Sequence, residues 1–120
     1  MEVDIHDLIK AIQKNLTPDL LHPNYRKMKD GGVGGHCYVA TECFYFLYGK
    51  QNGYKPKCFK YPNGDTHWWL ESESERIDIT SAQLAPDFDY SLGRPQFFVR
   101  YPSNRCNLLA RRVLHDLFGR

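Results

Sequence analysis

The chain has 120 residues, of which 42% are hydrophobic and 14% aromatic, and this composition argues against a disordered chain. At this length we expect one domain with a single core. The formal net charge of +2 is too small to indicate nucleic acid, and no apolar run approaches the roughly 20 residues of a membrane span. We therefore expect a globular domain that binds neither nucleic acid nor membrane.

The amino-terminal stretch MEVDIHDLIK lacks the basic start and apolar centre of a signal peptide. A cytoplasmic location is therefore expected, and cytoplasmic cysteines stay reduced. The four cysteines are accordingly predicted to be thiols: Cys37, Cys43, Cys58 and Cys106.

Helical spacing of apolar residues begins near the amino terminus. The pattern over residues 4–16 predicts a helix with Asp4 as its cap, on the spacing of Ile5, Leu8, Ile9, Ile12 and Leu16. Pro18 then favours a short helical turn over residues 18–21, followed by a loop.

Two further helices are predicted. The second begins near His36 and ends near Gly49, and it is apolar on most of its faces, which is typical of a central, buried helix. The last begins after Ser103, a favourable cap, with an apolar stripe formed by Cys106, Leu109, Ala110, Val113 and Leu117.

Short aromatic and β-branched segments lie between these helices. Strands are predicted at KPKCFKYP, THWWLES, ERIDIT and QFFVRYP, with a two-residue Asn-Gly turn in PNGD. The order is helices, a small antiparallel meander, then a helix. We predict an α+β fold in which a central buried helix packs on a small antiparallel sheet, flanked by amino- and carboxy-terminal helices.

A cysteine follows a glycine-rich stretch, GGVGGHC, at the predicted start of the central helix. The positive end of a helix and its free N–H groups favour a thiolate and can hold a developing oxyanion. Glycines allow a tight loop and close approach of a substrate backbone. Cys37 is therefore a candidate nucleophile, although a mobile connector before a buried cysteine gives the same pattern.

A histidine and an aspartate lie in two successive predicted strands. With an even loop such as 71–74, His67 falls directly opposite Asp78, where a carboxylate can fix one tautomer of the ring. An odd loop places them on different faces. Together with Cys37 they form a candidate Cys-His-Asp triad in which His67 is the base and Asp78 the orienting acid.

Other polar and aromatic residues are secondary candidates. His36, Trp69 and Gln83 are candidate substrate-binding residues, with Gln83 as a possible oxyanion donor and Trp68 expected in the core. A zinc site from Cys37, Cys43, His36 and His67 is the alternative, but no C-x-x-C or H-x-x-x-H spacing supports it. We therefore predict neither a metal nor a cofactor.

Three segments, GGHCYVATECFYFLYG, THWWLE and IDITSAQ, resemble the YunG-type family of small bacterial and phage proteins. These proteins share a Gly-His-Cys helix start, a Thr/Ser-His-aromatic strand and an Asp-x-Thr-x-x-Gln segment, although many have proline where this chain has Ile79. The resemblance implies a minimal papain-like domain over residues 1–120, related to NlpC/P60 and transglutaminase-like domains. It also implies Cys37 as nucleophile, His67 as base and Asp78 as orienting acid.

The residues and the resemblance together predict a thiol-dependent hydrolase or acyltransferase that acts on an amide, ester or thioester of a peptide or small acyl substrate. The alternative is a catalytically inactive papain-like module that docks an acidic protein partner through an aromatic groove and the basic carboxy-terminal helix. Between Arg94 and Arg120 there are six arginines and one acid, Asp116, although a solvated helix face would give the same charge pattern.

Overall fold

The computed structural model describes residues 4–20, 36–98 and 101–119. Within these ranges it contains three α-helices, α1 Ile5–Lys14, α2 Cys37–Leu47 and α3 Asn104–Phe118. The strands of the same ranges are β1 Lys55–Lys60, β2 Thr66–Glu71, β3 Arg76–Ile77 and β4 Arg94–Pro95. The predicted α+β class is confirmed, with α2 packed between the sheet and the other two helices.

The first helix begins where its sequence indicates. The Asp4 side chain accepts hydrogen bonds from the backbone N–H groups of His6 at 2.7 Å and Asp7 at 3.4 Å. Leu8, Ala11 and Ile12 form its buried face. A short 3₁₀ helix, Pro18–Leu20, follows and confirms the predicted turn, of which residue 21 lies outside the described residues.

The central helix α2 is buried along most of its length, as its apolar sequence predicts. It ends at Leu47, close to the predicted end near Gly49, which is the first residue of a 3₁₀ helix, Gly49–Asn52. Close packing favours glycine there, because an added Cβ would lie 3.2 Å from Cβ of Tyr54. The core that α2 organises unites all three helices with β2 through residues such as Ile12, Phe44, Leu70, Leu109 and Val113.

A buried carboxylate in α2 holds the start of α3. Glu42 has no exposed surface, and its two oxygens accept from the backbone N–H and the hydroxyl of Ser103, each at 2.8 Å. The Ser103 hydroxyl oxygen in turn accepts from the N–H of Cys106 at 3.2 Å, which confirms its predicted capping role. The position of α3 on α2 is therefore set by a polar contact as well as by apolar packing.

The sheet is antiparallel with strand order β3-β2-β1-β4. The first three strands form the predicted meander, but the fourth crosses to the other edge and pairs with β1. The predicted strand QFFVRYP is wrong over its described residues, since β4 is Arg94–Pro95 and precedes it; residues 99–100 lie outside the described ranges. The chain leaves the sheet here because the Phe98 ring packs on Tyr38 and Tyr45 of α2.

The turn between β1 and β2 is longer than the sequence predicts. Tyr61 donates its N–H to the Asp65 carbonyl at 2.7 Å, and Gly64 donates to the Tyr61 carbonyl at 2.9 Å. Gly64 has a φ of +94°, but Asn63 does not have the positive φ that a two-residue type I′ turn requires. The Asn-Gly pair therefore predicts the position of the turn correctly, but the turn is longer than the predicted two residues.

No helix in the described ranges is long and apolar enough to cross a membrane.

Removal of the Glu42 carboxylate tests the contact between α2 and α3. We expect Glu42→Ala to lower the free energy of unfolding by about 3 kcal/mol, since it leaves the part-buried Ser103 N–H without its acceptor and opens a cavity in place of the buried side chain. Ser103→Ala should cost about 1 kcal/mol, a typical value for a lost cap. Urea denaturation measures both. Glu73→Ala, an exposed turn residue, is the control, and a Glu42→Ala protein as stable as this control would contradict the assignment.

Candidate active site

The candidate nucleophile lies at the first residue of α2, where the free N–H groups of the helix begin. Cys37 is only 5% exposed, and its thiol donates to the backbone carbonyl of Thr66 at 3.3 Å. One turn further along α2, the Thr41 hydroxyl donates to the carbonyl of Trp68 at 3.1 Å. Two side chains of α2 therefore fix its first turns to the start of β2.

The short length of β3 makes this contact possible. β3 pairs only with Leu70 and Glu71, so the carbonyls of Thr66 and Trp68 lack a strand partner on that side. Cys37 and Thr41 supply the missing donors. The sulfur therefore lies at the open edge of β2, next to the strand residue that bears the candidate base.

The candidate base and orienter form a buried pair. His67 Nε2 lies 2.8 Å from Asp78 Oδ2, and the two side chains are 2% and 5% exposed. The four-residue turn 72–75 has the even length that the sequence argument requires. The pairing of Leu70 with Ile77, however, places Asp78 level with Trp69 rather than with His67. The prediction of direct opposition is therefore wrong by two residues, and the contact is made diagonally on the shared face.

The charge state of His67 follows from its neighbours. Burial alone lowers the pKa of the imidazole, but hydrogen bonds to Asp78 and Cys37 outweigh burial and raise it to about 9. At neutral pH the ring is therefore positively charged. Because Nε2 is engaged by Asp78, Nδ1 is the nitrogen left for proton exchange with the sulfur. The structure thus brings the three predicted triad residues together.

Tyr90 is a fourth member of this network that the sequence did not predict. Its hydroxyl donates to the same Asp78 oxygen at 2.8 Å, and the Arg76 guanidinium lies 3.6 Å above its ring centre. Burial and the bond to Asp78 raise the pKa of Tyr90 to about 12, so the phenol stays a donor. Tyr90 follows a loop with no spacing rule that connects it to Asp78, and sequence patterns therefore carry no signal for it.

The structure reverses the expected roles of the two tryptophans. Trp69 is fully buried beneath the triad, with its ring centre 5.8 Å from that of His67 and 29° between the planes. A buried indole offers no surface to a substrate, so the predicted substrate-binding role of Trp69 is wrong. Gly93 makes room for it, since an added Cβ would lie 2.2 Å from the indole. Trp68, expected in the core, is instead half-exposed on the opposite face of the sheet.

The remaining candidates lie away from the triad or outside the described side chains. His36 is 1% exposed, and its Nε2 lies 2.9 Å from the Thr17 carbonyl. The predicted substrate-binding role of His36 is therefore not supported, because its ring is buried against the segment after α1. Gln83 lies in a 3₁₀ helix, Ser81–Gln83, and its side chain is outside what the structure describes.

The four cysteines are free and buried. The Cys43 and Cys106 thiols are hydrogen-bonded partners in the core between α2 and α3, and this bond together with burial raises the pKa of Cys43. Among the described side chains, no group of three or more histidine, cysteine or acidic residues is arranged to hold a metal ion. Nothing in these ranges therefore supports the alternative zinc site.

Comparison with known proteins adds no assignment. No protein-family model matches the sequence, and no curated protein and no solved structure matches it significantly. The site is therefore interpreted from its own geometry.

The charge on His67 predicts a specific response to Asp78→Asn. Without the carboxylate, burial is opposed only by the contact with Cys37, and the pKa of His67 should fall well below about 9. An NMR titration of the His67 ring, assigned by comparison with His67→Gln, measures this directly. A pKa of His67 that stays near 9 in Asp78→Asn would contradict the pairing.

The same shift predicts how stability depends on pH. A folded-state pKa above the unfolded value means that the folded chain binds the proton more tightly, so the stabilisation is complete below about pH 6.5 and is lost as pH rises through about 9. The free energy of unfolding should therefore fall by about 1–3 kcal/mol between pH 6.5 and 9.5 in the wild type and much less in Asp78→Asn. Equal slopes in the two proteins would contradict the pairing.

Proposed function

We propose that this chain is a thiol-dependent hydrolase or acyltransferase that acts on an amide, ester or thioester. Cys37 is the nucleophile, His67 the general base and acid, and Asp78 the orienting carboxylate. The observation that carries the proposal is the buried His67–Asp78 contact of 2.8 Å beside a thiol at a helix start. A polar group of this kind, buried and charged, is costly for a fold and is typical of a functional site.

The reaction follows from the arrangement. A positively charged imidazole favours the thiolate form of a neighbouring cysteine. The sulfur forms a bond to the substrate carbonyl carbon, and the carbonyl oxygen takes the negative charge. We assign the stabilisation of this oxygen to the first N–H groups of α2, which begins at Cys37. This gives the oxyanion a binding site that does not depend on a glutamine side chain.

The two halves of the reaction share one proton carrier. The leaving group departs with a proton from Nδ1 of His67 and leaves an acyl thioester on Cys37. Water, or an acceptor amine or alcohol, then attacks the thioester carbon while the neutral ring takes its proton. The C–S bond then breaks with its electron pair on the sulfur, which restores the thiolate of Cys37 beside the charged ring. Nε2 of His67 and the Tyr90 hydroxyl both bind Oδ2 of Asp78. Asp78 therefore keeps the ring in one orientation throughout the reaction, and Tyr90 holds Asp78 in place.

We also propose that the chain is a minimal papain-like protein of the YunG type. The chain order matches what this resemblance implies: a cysteine at the start of a buried helix, then a histidine on the central strand β2, then an acid after β3.

We propose a cytoplasmic location from the state of the cysteines. All four cysteines are free thiols, and two of them are close enough in the core to hydrogen-bond without forming a disulfide.

A binding module without activity is the second candidate, and one observation favours it. The Cys37 thiol is 5% exposed and already satisfied by the Thr66 carbonyl, as a structural cysteine would be. The basic helix supports this alternative less well, because Arg112 is paired with Asp19 at 2.6 Å. The two candidates differ in the reactivity of Cys37.

Alkylation by iodoacetamide distinguishes them. At pH 7 we expect Cys37 to react at least about tenfold faster than the other three cysteines, because the charged ring favours its anion. His67→Ala should lower the Cys37 rate by about tenfold or more, and peptide mapping by mass spectrometry assigns each site. Cys58→Ala, which removes a cysteine outside the triad, should leave the Cys37 rate unchanged.

Turnover is tested with a broad panel of amide, ester and thioester substrates. Wild type should hydrolyse or transfer at least one class, and Cys37→Ala none. A wild-type protein with an unreactive Cys37 and no turnover across the panel would overturn the enzyme assignment in favour of the binding module.

A further inference from the structure

A groove of about 630 Å³ opens on the face of the sheet opposite His67. Its lining includes Cys58, Lys60, Thr66 and Trp68. Lys60 pairs with Thr66 across the ladder, and Cys58 pairs with Trp68, so the four side chains share one face of the strands. Arg94 joins this face from β4, where it pairs with Cys58. The groove is therefore built on the regular part of the sheet rather than on loops.

Two cations of the groove have no ion-pair partner among the described residues. Lys60 and Arg94 are exposed, and among the described residues neither has a carboxylate within ion-pair distance. Arg94 is the diagonal neighbour of Lys60 on this face, so their Cα atoms are about 7–8 Å apart. Within the described part of the chain, the groove therefore carries two positive charges without a paired carboxylate.

The groove lies next to the nucleophile. Thr66, which lines it, is the residue whose carbonyl accepts the Cys37 thiol at 3.3 Å. Its cross-strand partner Lys60 belongs to a closely spaced pair, with Cα atoms about 4.5 Å apart. An extended peptide advances about 3.3 Å per residue, so a substrate held at the sulfur places a side chain over Lys60 within about two or three residues.

The rest of the lining offers both apolar and neutral polar side chains to an extended peptide. Leu92 is 53% exposed at the rim, and the Gln96 amide supplies a neutral donor and acceptor. Trp68 is stacked on Phe98 with ring centres 5.4 Å apart and 22° between the planes, and Tyr38 lies 4.9 Å from Trp68 and 5.4 Å from Phe98, beside this pair.

We propose that this groove binds an acidic peptide segment, so that Asp or Glu side chains within a few residues of the attacked bond lie against Lys60 and Arg94. The inference rests on the proposed function for the identity of the attacked bond, but the binding itself does not. The proposed substrate class is therefore an acyl donor that carries negative charge near the attacked bond. The two cations then select substrates without taking part in the chemistry at Cys37.

The binding test uses the Cys37→Ala chain and two labelled octapeptides of Ala and Ser, one with four Glu and one with four Gln at the same positions. Fluorescence anisotropy at low salt should show tighter binding of the Glu peptide. Lys60→Met with Arg94→Gln should weaken the Glu peptide by about 5- to 20-fold and the Gln peptide by less than about twofold. Lys50→Met with Arg111→Gln removes equal charge outside the groove and should change neither.

The covalent test uses wild type with two peptidyl chloromethyl ketones that carry Glu or Gln near the reactive carbon. The sulfur of Cys37 forms the new bond to that carbon, and chloride leaves. Faster labelling by the Glu compound, lost in the Lys60/Arg94 double variant, supports the proposal.

The outcomes separate the two claims. Equal labelling by both compounds, or equal binding of both peptides, overturns the acidic-substrate proposal and leaves a reactive Cys37 in place. Tight Glu-peptide binding with no labelling of Cys37 supports the groove and overturns the enzyme assignment. Tighter binding of an eight-nucleotide thymidine oligomer than of the Glu peptide also overturns the proposal.

Discussion

The hydrogen bond between His67 and Asp78 is the contact on which the site depends. Burial alone would leave the ring neutral, and the carboxylate at 2.8 Å reverses that preference. Around this pair the chain places aromatic side chains, Trp69 under the ring and Tyr90 on the carboxylate. A buried charged pair costs desolvation energy, which is offset only by good geometry and further hydrogen bonds such as the one that Tyr90 donates to Asp78. The surrounding fold is best understood as that arrangement.

Hydrogen bonds join the central helix to backbone carbonyls of β2, which would pair with β3 if β3 were longer. Because β3 stops at Ile77, the carbonyls of Thr66 and Trp68 have no strand partner on that side. They accept hydrogen bonds from the Cys37 and Thr41 side chains of α2 instead. The carbonyl of Thr66 at this strand edge therefore positions the candidate nucleophile, Cys37, and the candidate base, His67, is the next residue of the same strand. On the far side of α2, Glu42 holds the start of α3 in the same manner. Polar contacts thus set the position of α2 from both sides, while apolar packing supplies the bulk of the core.

Sequence patterns correctly predicted those features that depend on residues close together along the chain. Asp4 and Ser103 cap their helices as expected, because a cap is a contact within three residues. The candidate triad residues could be predicted because each carries a local signal: a glycine-rich helix start, an aromatic strand and the strand that follows it. The register, the crossing of β4 to the far edge and the burial of Trp69 instead of Trp68 were not predicted, since each depends on partners that are distant along the chain. Tyr90 and Glu42 were missed for the same reason: their partners, Asp78 and Ser103, are separated from them by chain segments without a fixed spacing.

The most direct measurement is a crystal structure of the wild-type chain at pH 7 with the sulfur unmodified. The account predicts that Sγ of Cys37 lies within hydrogen-bonding distance of Nδ1 of His67 while Nε2 stays on Asp78. A ring rotated away from the sulfur, with Cys37 enclosed by hydrocarbon side chains, would contradict it.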